Sequence, residues 1–586
     1  MNFLKMFGAS MLAWIVGIVG IFVFAIGSLL SALLSMNMDE MGIKEESVLY
    51  INIGENITDS PSSSPLSGFD PMSMSVTESL PLLKVLSAIE QAASDDNIKG
   101  ICIYTDGGAV ISTASIEELR NALNRFKQSG KFIVAYDYDY SQTDYYIASV
   151  ADKIVLNPEG SLDWYGCATT LMFYKGAFDK LGIGVEIFRP SSCKYKSAVE
   201  PFFLTKMSEA NRKQNQEMVD SIWQSICEDI AVSRNIDVET LKSYAANLAV
   251  SFPEEALATG MIDAVDHEDY LFTLYDNYGV KRNDNGLFNT TTLADYVSSI
   301  NTSHLSTSAG NSKSLEFETA PIVAIIYAEG QIVDGNNYED GSVYGSRLAR
   351  ELRDARLNDA IKSVVVRVNS PGGSAIASEL AWREMTLLQQ VKPVVISMGD
   401  MAASGGYYIS APADYIFSDK STLTGSIGVF GMIPNAKNLL TYRLGITFDG
   451  VQTSKAAVTP NIFQPVTDIQ RKNLTKGVDR VYETFTQHVA EGRNLDINRV
   501  LEIAEGRVWS GSNAVEIGLV DEIGGFTQAV AKATELAGIS KRFALYEFNA
   551  QLSPFEMWLE GMSATATVNM GISENSIYFD EIRSFI

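Results

Sequence analysis

Apolar positions fall along this chain in two regimes. The first is an unbroken run: no residue from Met6 to Met38 is charged, and Trp14 to Leu34 (WIVGIVGIFVFAIGSLLSALL) is long enough to cross a bilayer as a helix. A secretory signal has a shorter apolar core followed by a small-residue cleavage site, and Ser31, Ala32 and Leu33 imitate one poorly. The run therefore reads as an uncleaved anchor. Lys5 ahead of it and Asp39, Glu40, Glu45 and Glu46 behind it put the N-terminus in the cytoplasm and the body outside.

The second regime is alternation. Helix-like stretches are followed by short apolar runs, Leu83 to Ala93 then Gly100 to Tyr104, and Arg347 to Ala355 then Ser363 to Val368. This pattern predicts α/β units around a largely parallel sheet. Ligands bind at the carboxyl ends of such strands. One predicted strand, Pro393 to Ser397, runs into MGDMAASGGYYIS, where Ala402, Ala403, Gly405 and Gly406 leave the Ser404 hydroxyl accessible. A helix beginning near Tyr407 places Ser404 at a strand-to-helix junction, where free N–H groups favour developing negative charge.

The alternation occurs twice. Tyr145-Tyr146-Ile147 recurs as Tyr407-Tyr408-Ile409, Asp152 as Asp414, Ile154 as Ile416 and Gly166 as Gly428, all at one offset. Ile98-Lys99 answers to Ile361-Lys362, Gly107-Gly108 to Gly372-Gly373, and Gly260-Met261-Ile262-Asp263 to Gly518-Leu519-Val520-Asp521. Two homologous domains explain this better than chance. The polar stretch Ser60 to Met74 reads as a loop, and Asn301 to Ser314, with His304, as a boundary. The divisions are 1–46 for the N-terminus and anchor, 47–300 for the first repeat, 301–318 for a linker, 319–540 for the second repeat and 541–586 for a C-terminal extension. That extension, with Phe543, Tyr546, Phe548, Phe555 and Trp558, shows no partner in the first repeat. The repeats have also diverged: Ser404 faces Gln142 and Ser426 faces Trp164, while the first repeat carries Lys196 in CKYKSAVEPFF where the second has SKAAVTPNIF.

Composition narrows the chemistry. With 586 residues, 46% hydrophobic and 20% charged, this is a folded chain of several domains. Its net charge of −26 repels phosphates, so nucleic acid is not expected as a partner. Cys102, Cys167, Cys193 and Cys227 lack metal spacing, and Cys102 lies in an apolar strand. His267 falls in an acidic loop, and His488 on a helix reading VYETFTQHVAEG. A zinc site and a Ser-His-Asp triad are both disfavoured.

A serine without histidine needs another base, and an unprotonated lysine is the usual one. Lysine titrates near about 10.4, so burial must supply roughly 4 kcal/mol to keep it neutral near pH 7. Tyr195, Ala198, Val199, Pro201, Phe202 and Phe203 give Lys196 apolar company. Asn369-Ser370-Pro371-Gly372-Gly373 offers glycine N–H groups that can approach an oxyanion closely. The G-x-S-x-G elbow is absent, Ala402 standing at its first glycine. Ser191 to Lys194 matches S-x-x-K, but neither S-D-N nor K-T-G accompanies it.

In combination NSPGGS (369–374), MAASGGYYIS around Ser404, LTGSIGVFG around Ser426 and YKSAVEPF around Lys196 resemble the long-form bacterial signal peptide peptidase family, SppA. The resemblance implies tandem duplicated Clp protease/crotonase-like α/β domains preceded by one N-terminal transmembrane helix. It implies a serine endopeptidase in the bacterial inner membrane, with its body on the periplasmic side. Remnant signal peptides and similar apolar peptides would be its substrates. It further implies a homotetramer with its active sites inside a bowl, and no cofactor or metal. Carried over, Ser404 is the nucleophile, Lys196 the general base, Ser426 the residue orienting the lysine, and Gly372, Gly373 and Gly405 the oxyanion hole. Two departures keep other lysines in view. Spacing counted from Leu181-Gly182-Ile183 points to Lys194, and Lys455 lies near where short relatives carry theirs. Two other function classes compete: a crotonase-like acyl-CoA enzyme, which gives no reason for an anchor, and a catalytically silent scaffold.

Overall fold

The computed structural model describes residues 43–61, 69–70, 75–76, 79–105, 112–306, 320–337, 341–454, 456–457, 461–540, 542–548 and 576–579, with Trp14 and Gly17. Those two residues apart, the stretch read as an anchor lies outside the described residues. Among the described residues no helix is long and apolar enough to cross a membrane.

Two sheets carry the two repeats. The first has six strands in the order Ala264–Val265, Lys153–Leu162, Phe132–Tyr140, Ile98–Tyr104, Ser47–Asn52 and Thr290–Thr292, every pair parallel. The second follows the same path with Glu522–Ile523, Tyr415–Ser418, Val394–Ala403, Ile361–Ser370, Ile322–Glu329 and Phe543–Phe548, again parallel throughout. Leu423–Gly425, Val508–Ser510 and Ser576–Phe579 are added to it. Position by position the strand order is the same, so the duplication holds in topology as well as in sequence.

The recurring residues do the same structural work in each repeat. Asp152 accepts the Ile133 N–H at 2.9 Å, and Asp414 accepts that of Val394 at 2.8 Å. Tyr145 donates its hydroxyl to Met261 O at 2.7 Å, and Tyr407 donates to Leu519 O at 2.8 Å. Asp263 and Asp521 accept the N–H groups of Ile154 and Ile416. The two tyrosines are buried, Asp152 and Asp263 half-buried, and Asp414 and Asp521 exposed; each satisfies the backbone where a strand begins or a loop returns.

Local sequence explains the elements. Leu82, Leu83, Val85, Leu86, Ile89 and Ala92 line one face of the helix Leu82–Ser94 and are all buried. Val364, Val365 and Val366 are buried in succession, as a parallel sheet covered on both faces requires. The repeats share one core: Val323, Ile325, Val365, Val395 and Phe526 of the second repeat join the cluster formed by the helices and strands of the first. Arg367 crosses the same contact, 2.8 Å from Asp59 and 2.7 Å from Glu118, with all three side chains sealed from solvent.

Two sequence expectations are corrected. The chain beyond Lys541 does have a counterpart in the first repeat, because Phe543–Phe548 occupies the sheet position of Thr290–Thr292. Three threonines and an aromatic strand share no residue type, so only the topology relates them. The polar stretch from Asn301 begins inside the helix Leu293–Ser306. Leu293, Tyr296 and Val297 bury its first turns, and a nucleated helix propagates into residues that would not start one.

Candidate active site

The strand Val394–Ala403 runs past the predicted end at Ser397 to finish directly at Ser404, and the helix Gly405–Ser410 begins ahead of the predicted Tyr407, so Ser404 stands at the strand-to-helix junction the sequence predicts. Turning from one to the other forces Ser404 to φ 55°, ψ −115°, a conformation that costs a serine of order 1–3 kcal/mol. Its N–H is held by Gly425 O at 2.9 Å. The next strand end supplies Ser426, also at positive φ (50°).

Lys196 arrives from the first repeat, on the turns that follow the strand Gly184–Phe188. Arg189 Nη1 donates to Lys196 O at 2.7 Å, and Gln214 Nε2 donates to both Tyr195 O and Ser197 Oγ, one residue either side of the lysine. Gly506, at φ +76°, lets the second repeat close on it; a Cβ there would stand 2.6 Å from the Lys196 Cβ. Buried in this way, Lys196 puts Nζ 2.9 Å from Ser404 Oγ, and donates to Ser426 O at 2.8 Å and Ser426 Oγ at 2.9 Å. Burial pulls its amine down from the usual lysine range to about 7. A neutral amine has two N–H groups and one lone pair. With both N–H groups spent on Ser426, the lone pair is left for the Ser404 hydroxyl.

The other lysines stand differently. Lys194 is more than half exposed and pairs with Glu505 at 2.8 Å, an ion pair that holds its amine above the usual range. Lys455 lies outside the described residues. His488 stacks on Trp382 with its Nε2 3.2 Å from Glu379, in keeping with a structural role. Cys102 is fully buried, and burial pushes its thiol up to about 12.

The glycines converge on the same point. Gly372 has φ +90°, and a Cβ on it would meet Gly405 N at 2.4 Å and Ser404 Cβ at 2.9 Å. Its own N–H is used, donating to Ser370 Oγ at 3.1 Å. Gly373 bridges Ile332 through bonds made by its neighbours, Ile332 N–H to Gly372 O and Ser374 N–H to Ile332 O, so the Gly373 N–H faces the other way. The Gly405 N–H opens the helix Gly405–Ser410 and has no intrahelical partner by position. Around these groups lies a cavity of about 660 Å³, with Leu171, Pro201, Met218, Val429, Phe430 and Phe485 among its walls.

The corresponding place in the first repeat is filled. Gln142 accepts the Gly166 N–H at 2.9 Å and that of Tyr165 at 3.3 Å, and Trp164 is buried with its Nε1–H on Leu241 O. Sequence reasoning missed Gly506, Gln214 and Arg189, which shape the lysine's surroundings. No local motif marks them, since their role exists only once distant loops meet.

A hydroxyl facing an amine that burial keeps partly neutral, at the wall of an apolar cavity, is the equipment of a serine hydrolase. The chain belongs to peptidase family S49, whose model matches residues 125–278 and again 386–540, once in each repeat. Protease 4 of Haemophilus influenzae is 35% identical over 483 residues, covering 80% of this chain and 75% of its own length. The chloroplastic serine protease SPPA of Arabidopsis thaliana is 30% identical over 485 residues, 81% of this chain and 69% of its own. A solved mutant of ClpP1 from Listeria monocytogenes matches 36% of this chain and 95% of its own at 15% identity and a TM-score of 0.23, too slight a likeness to bear on the fold. The protein is a serine protease of the S49 family, with the family's domain present twice.

Proposed function

We propose that this protease works through Ser404 as nucleophile and Lys196 as general base, cutting remnant signal peptides and similar apolar peptides. The observation that carries the reading is the contact of 2.9 Å between Ser404 Oγ and a lysine whose amine is brought to about 7. Lys196 takes the hydroxyl proton as Oγ bonds to the scissile carbonyl carbon. The oxygen then bears a negative charge that the N–H groups of Gly373 and Gly405 stabilise, with Gly372 keeping the space open. The C–N bond breaks, the lysine's proton goes to the leaving amine, and water hydrolyses the acyl-serine by the same steps. Ser426 orients the amine throughout. Apolar cavity walls favour apolar residues next to the scissile bond.

The rest of the reading follows the family resemblance. Each repeat has the Clp protease/crotonase type of fold, Trp14 to Leu34 anchors the chain in the bacterial inner membrane with its body on the periplasmic side, and the protein assembles as a homotetramer. Incubating detergent-solubilised protein with a synthetic signal peptide tests the activity. Cleavage by wild type and none by Ser404→Ala is the expected result. Equal cleavage by both, or failure of Ser404 to label with an active-site serine reagent, rejects it.

A further inference from the structure

The strand Val394–Ala403, which ends at Ser404, and the strand Ile361–Ser370, which ends at the glycine loop, do not stay in step. Val368 pairs with Met398, but the next pair is Ser370 with Ala402, so Asn369 on one strand answers to Gly399, Asp400 and Met401 on the other. Such a bulge re-aims whatever follows it. Here Ser404 follows on one side, just past Ala402, and Gly372 and Gly373 follow on the other, just past Ser370. The placement of the Ser404 hydroxyl relative to the Gly373 N–H is therefore set where Asn369 spans the gap.

Asn369 spans it with its side chain. Oδ1 accepts the Met401 N–H at 3.2 Å, while Nδ2 donates to Asp59 Oδ2, a carboxylate of the first repeat. Asp59 is buried, and its other oxygen accepts from Arg367 Nη2 at 2.8 Å. Gly399 leaves room for this contact, since a Cβ there would stand 2.9 Å from Asp59 Oδ2 and 3.1 Å from Asn369 Cβ. A carboxamide has a donor at one end and an acceptor at the other, so alone it could face Met401 either way round. A carboxylate only accepts, and fixes which end turns to it.

The duplication supplies a precedent. Ser47 pairs with Ile98 and Ile322 with Ile361, and those partners are themselves equivalent in the two repeats. Counting on from the strand starts sets Ile57-Thr58-Asp59 against Ile332-Val333-Asp334. Asp334 accepts the Ser374 hydroxyl at 2.6 Å. Equivalent aspartates thus hold the two ends of the loop from Asn369 to Ser374: Asp334 from its own repeat at an exposed position, Asp59 from the other repeat at a buried one.

We propose that Asp59 is a positioning residue for peptide cleavage: by holding Asn369 in one orientation it fixes the bulge, and through the bulge the alignment of the Gly373 and Gly405 N–H groups with the Ser404 hydroxyl. Asp59 is not in the wall of the Ser404 cavity. Its effect therefore belongs to the transition state, where alignment on the oxyanion counts, and not to peptide binding. The inference rests on the reading of Ser404 as nucleophile and of the glycine loop as oxyanion donor.

The test exchanges the two side chains. Asp59→Asn sets a donor against the Asn369 donor, and Asn369→Asp sets a carboxylate against the Asp59 carboxylate. In the double variant the amide at position 59 donates to the carboxylate at position 369, whose second oxygen still accepts the Met401 N–H. Using the full chain in detergent and one synthetic signal peptide, well below the melting temperature of each variant, either single change is expected to lower kcat by about 10- to 100-fold with KM kept within about twofold. A peptide boronate, which becomes tetrahedral on the nucleophile, should lose affinity in step with kcat. The double variant should return to within about fivefold of wild type in both readouts, and it keeps the test decisive where a single variant folds poorly. Wild-type cleavage that disappears in Ser404→Ala checks the underlying chemistry separately from these variants. Against that background, wild-type kcat in Asp59→Asn, a loss carried by KM with boronate affinity unchanged, or a double variant no more active than the singles overturns the proposal.

Discussion

Lys196 Nζ stands 2.9 Å from Ser404 Oγ across 208 positions of sequence and across the boundary between two homologous repeats. One repeat supplies the amine and the other the hydroxyl, and the equivalent place in the first repeat is closed by Gln142 and Trp164. Lys196→Arg is therefore expected to abolish peptide cleavage, by a factor of at least about 10²–10⁴, because a guanidinium stays protonated at working pH. Lys194→Ala and Lys455→Ala should retain most of it. Steady-state rates on one peptide, with circular dichroism to check folding, decide the matter. Loss confined to Lys455→Ala would move the base into the second repeat.

The direction of the pH dependence follows from the same amine. Only its neutral form accepts a proton, and burial places its titration at about 7. The rate at limiting substrate should therefore rise with pH, pass its midpoint near 7 and level off about one pH unit above. At pH 6 it should be roughly a tenth of the plateau. A rising limb near the ordinary lysine value would show that the amine is hydrated in solution.

Much of this was legible in the sequence because it depends on local pattern. The strand-to-helix junction at Ser404 shows in a β-branched run followed by small residues, and the duplication in residues such as Asp152 and Asp414 that cap equivalent strands. What could not be read depends on loops meeting from far apart. Gly506 is an unremarkable glycine until it packs on Lys196. The choice between Lys194 and Lys196 turns on which side chain the second repeat covers, and two positions of spacing carry no information about that. Phe543–Phe548 escaped because strand position in a sheet is preserved by topology while its residue types are not.

Arg367 gives a prediction about the contact between repeats. It is fully buried between Asp59 and Glu118 of the first repeat. Removing one partner of such a group leaves uncompensated charge and costs roughly 3–5 kcal/mol. Arg367→Met should lower the free energy of unfolding by about that much at pH 7–8, read as a lower denaturant midpoint at unchanged slope. Burial raises the Glu118 carboxyl above its usual range, so the deficit should shrink as pH falls and that group takes up a proton. A deficit unchanged with pH would mean that packing, rather than charge, is what Arg367 supplies.

The buried amine should also cost the protein stability, in a window that the direction of its shift defines. Lys196 titrates at about 7 in the folded chain against an ordinary value of 10.5, so between those pH values the unfolded state holds the extra proton. Stability therefore rises with pH across that window, and below about 7 the fold bears the full penalty, on the order of 4 to 5 kcal/mol. Lys196→Met keeps the length and volume of the side chain without the charge. It gives up the bonds to Ser426, worth about 1 kcal/mol each, and should still melt a few degrees above wild type at pH 6 to 7. As pH approaches 10.5 the gain should disappear, while peptide cleavage is lost at every pH. A melting temperature equal to or below wild type at pH 6 would mean that the lysine is stabilised in its charged form, and the proton transfer assigned to it would fail with that result.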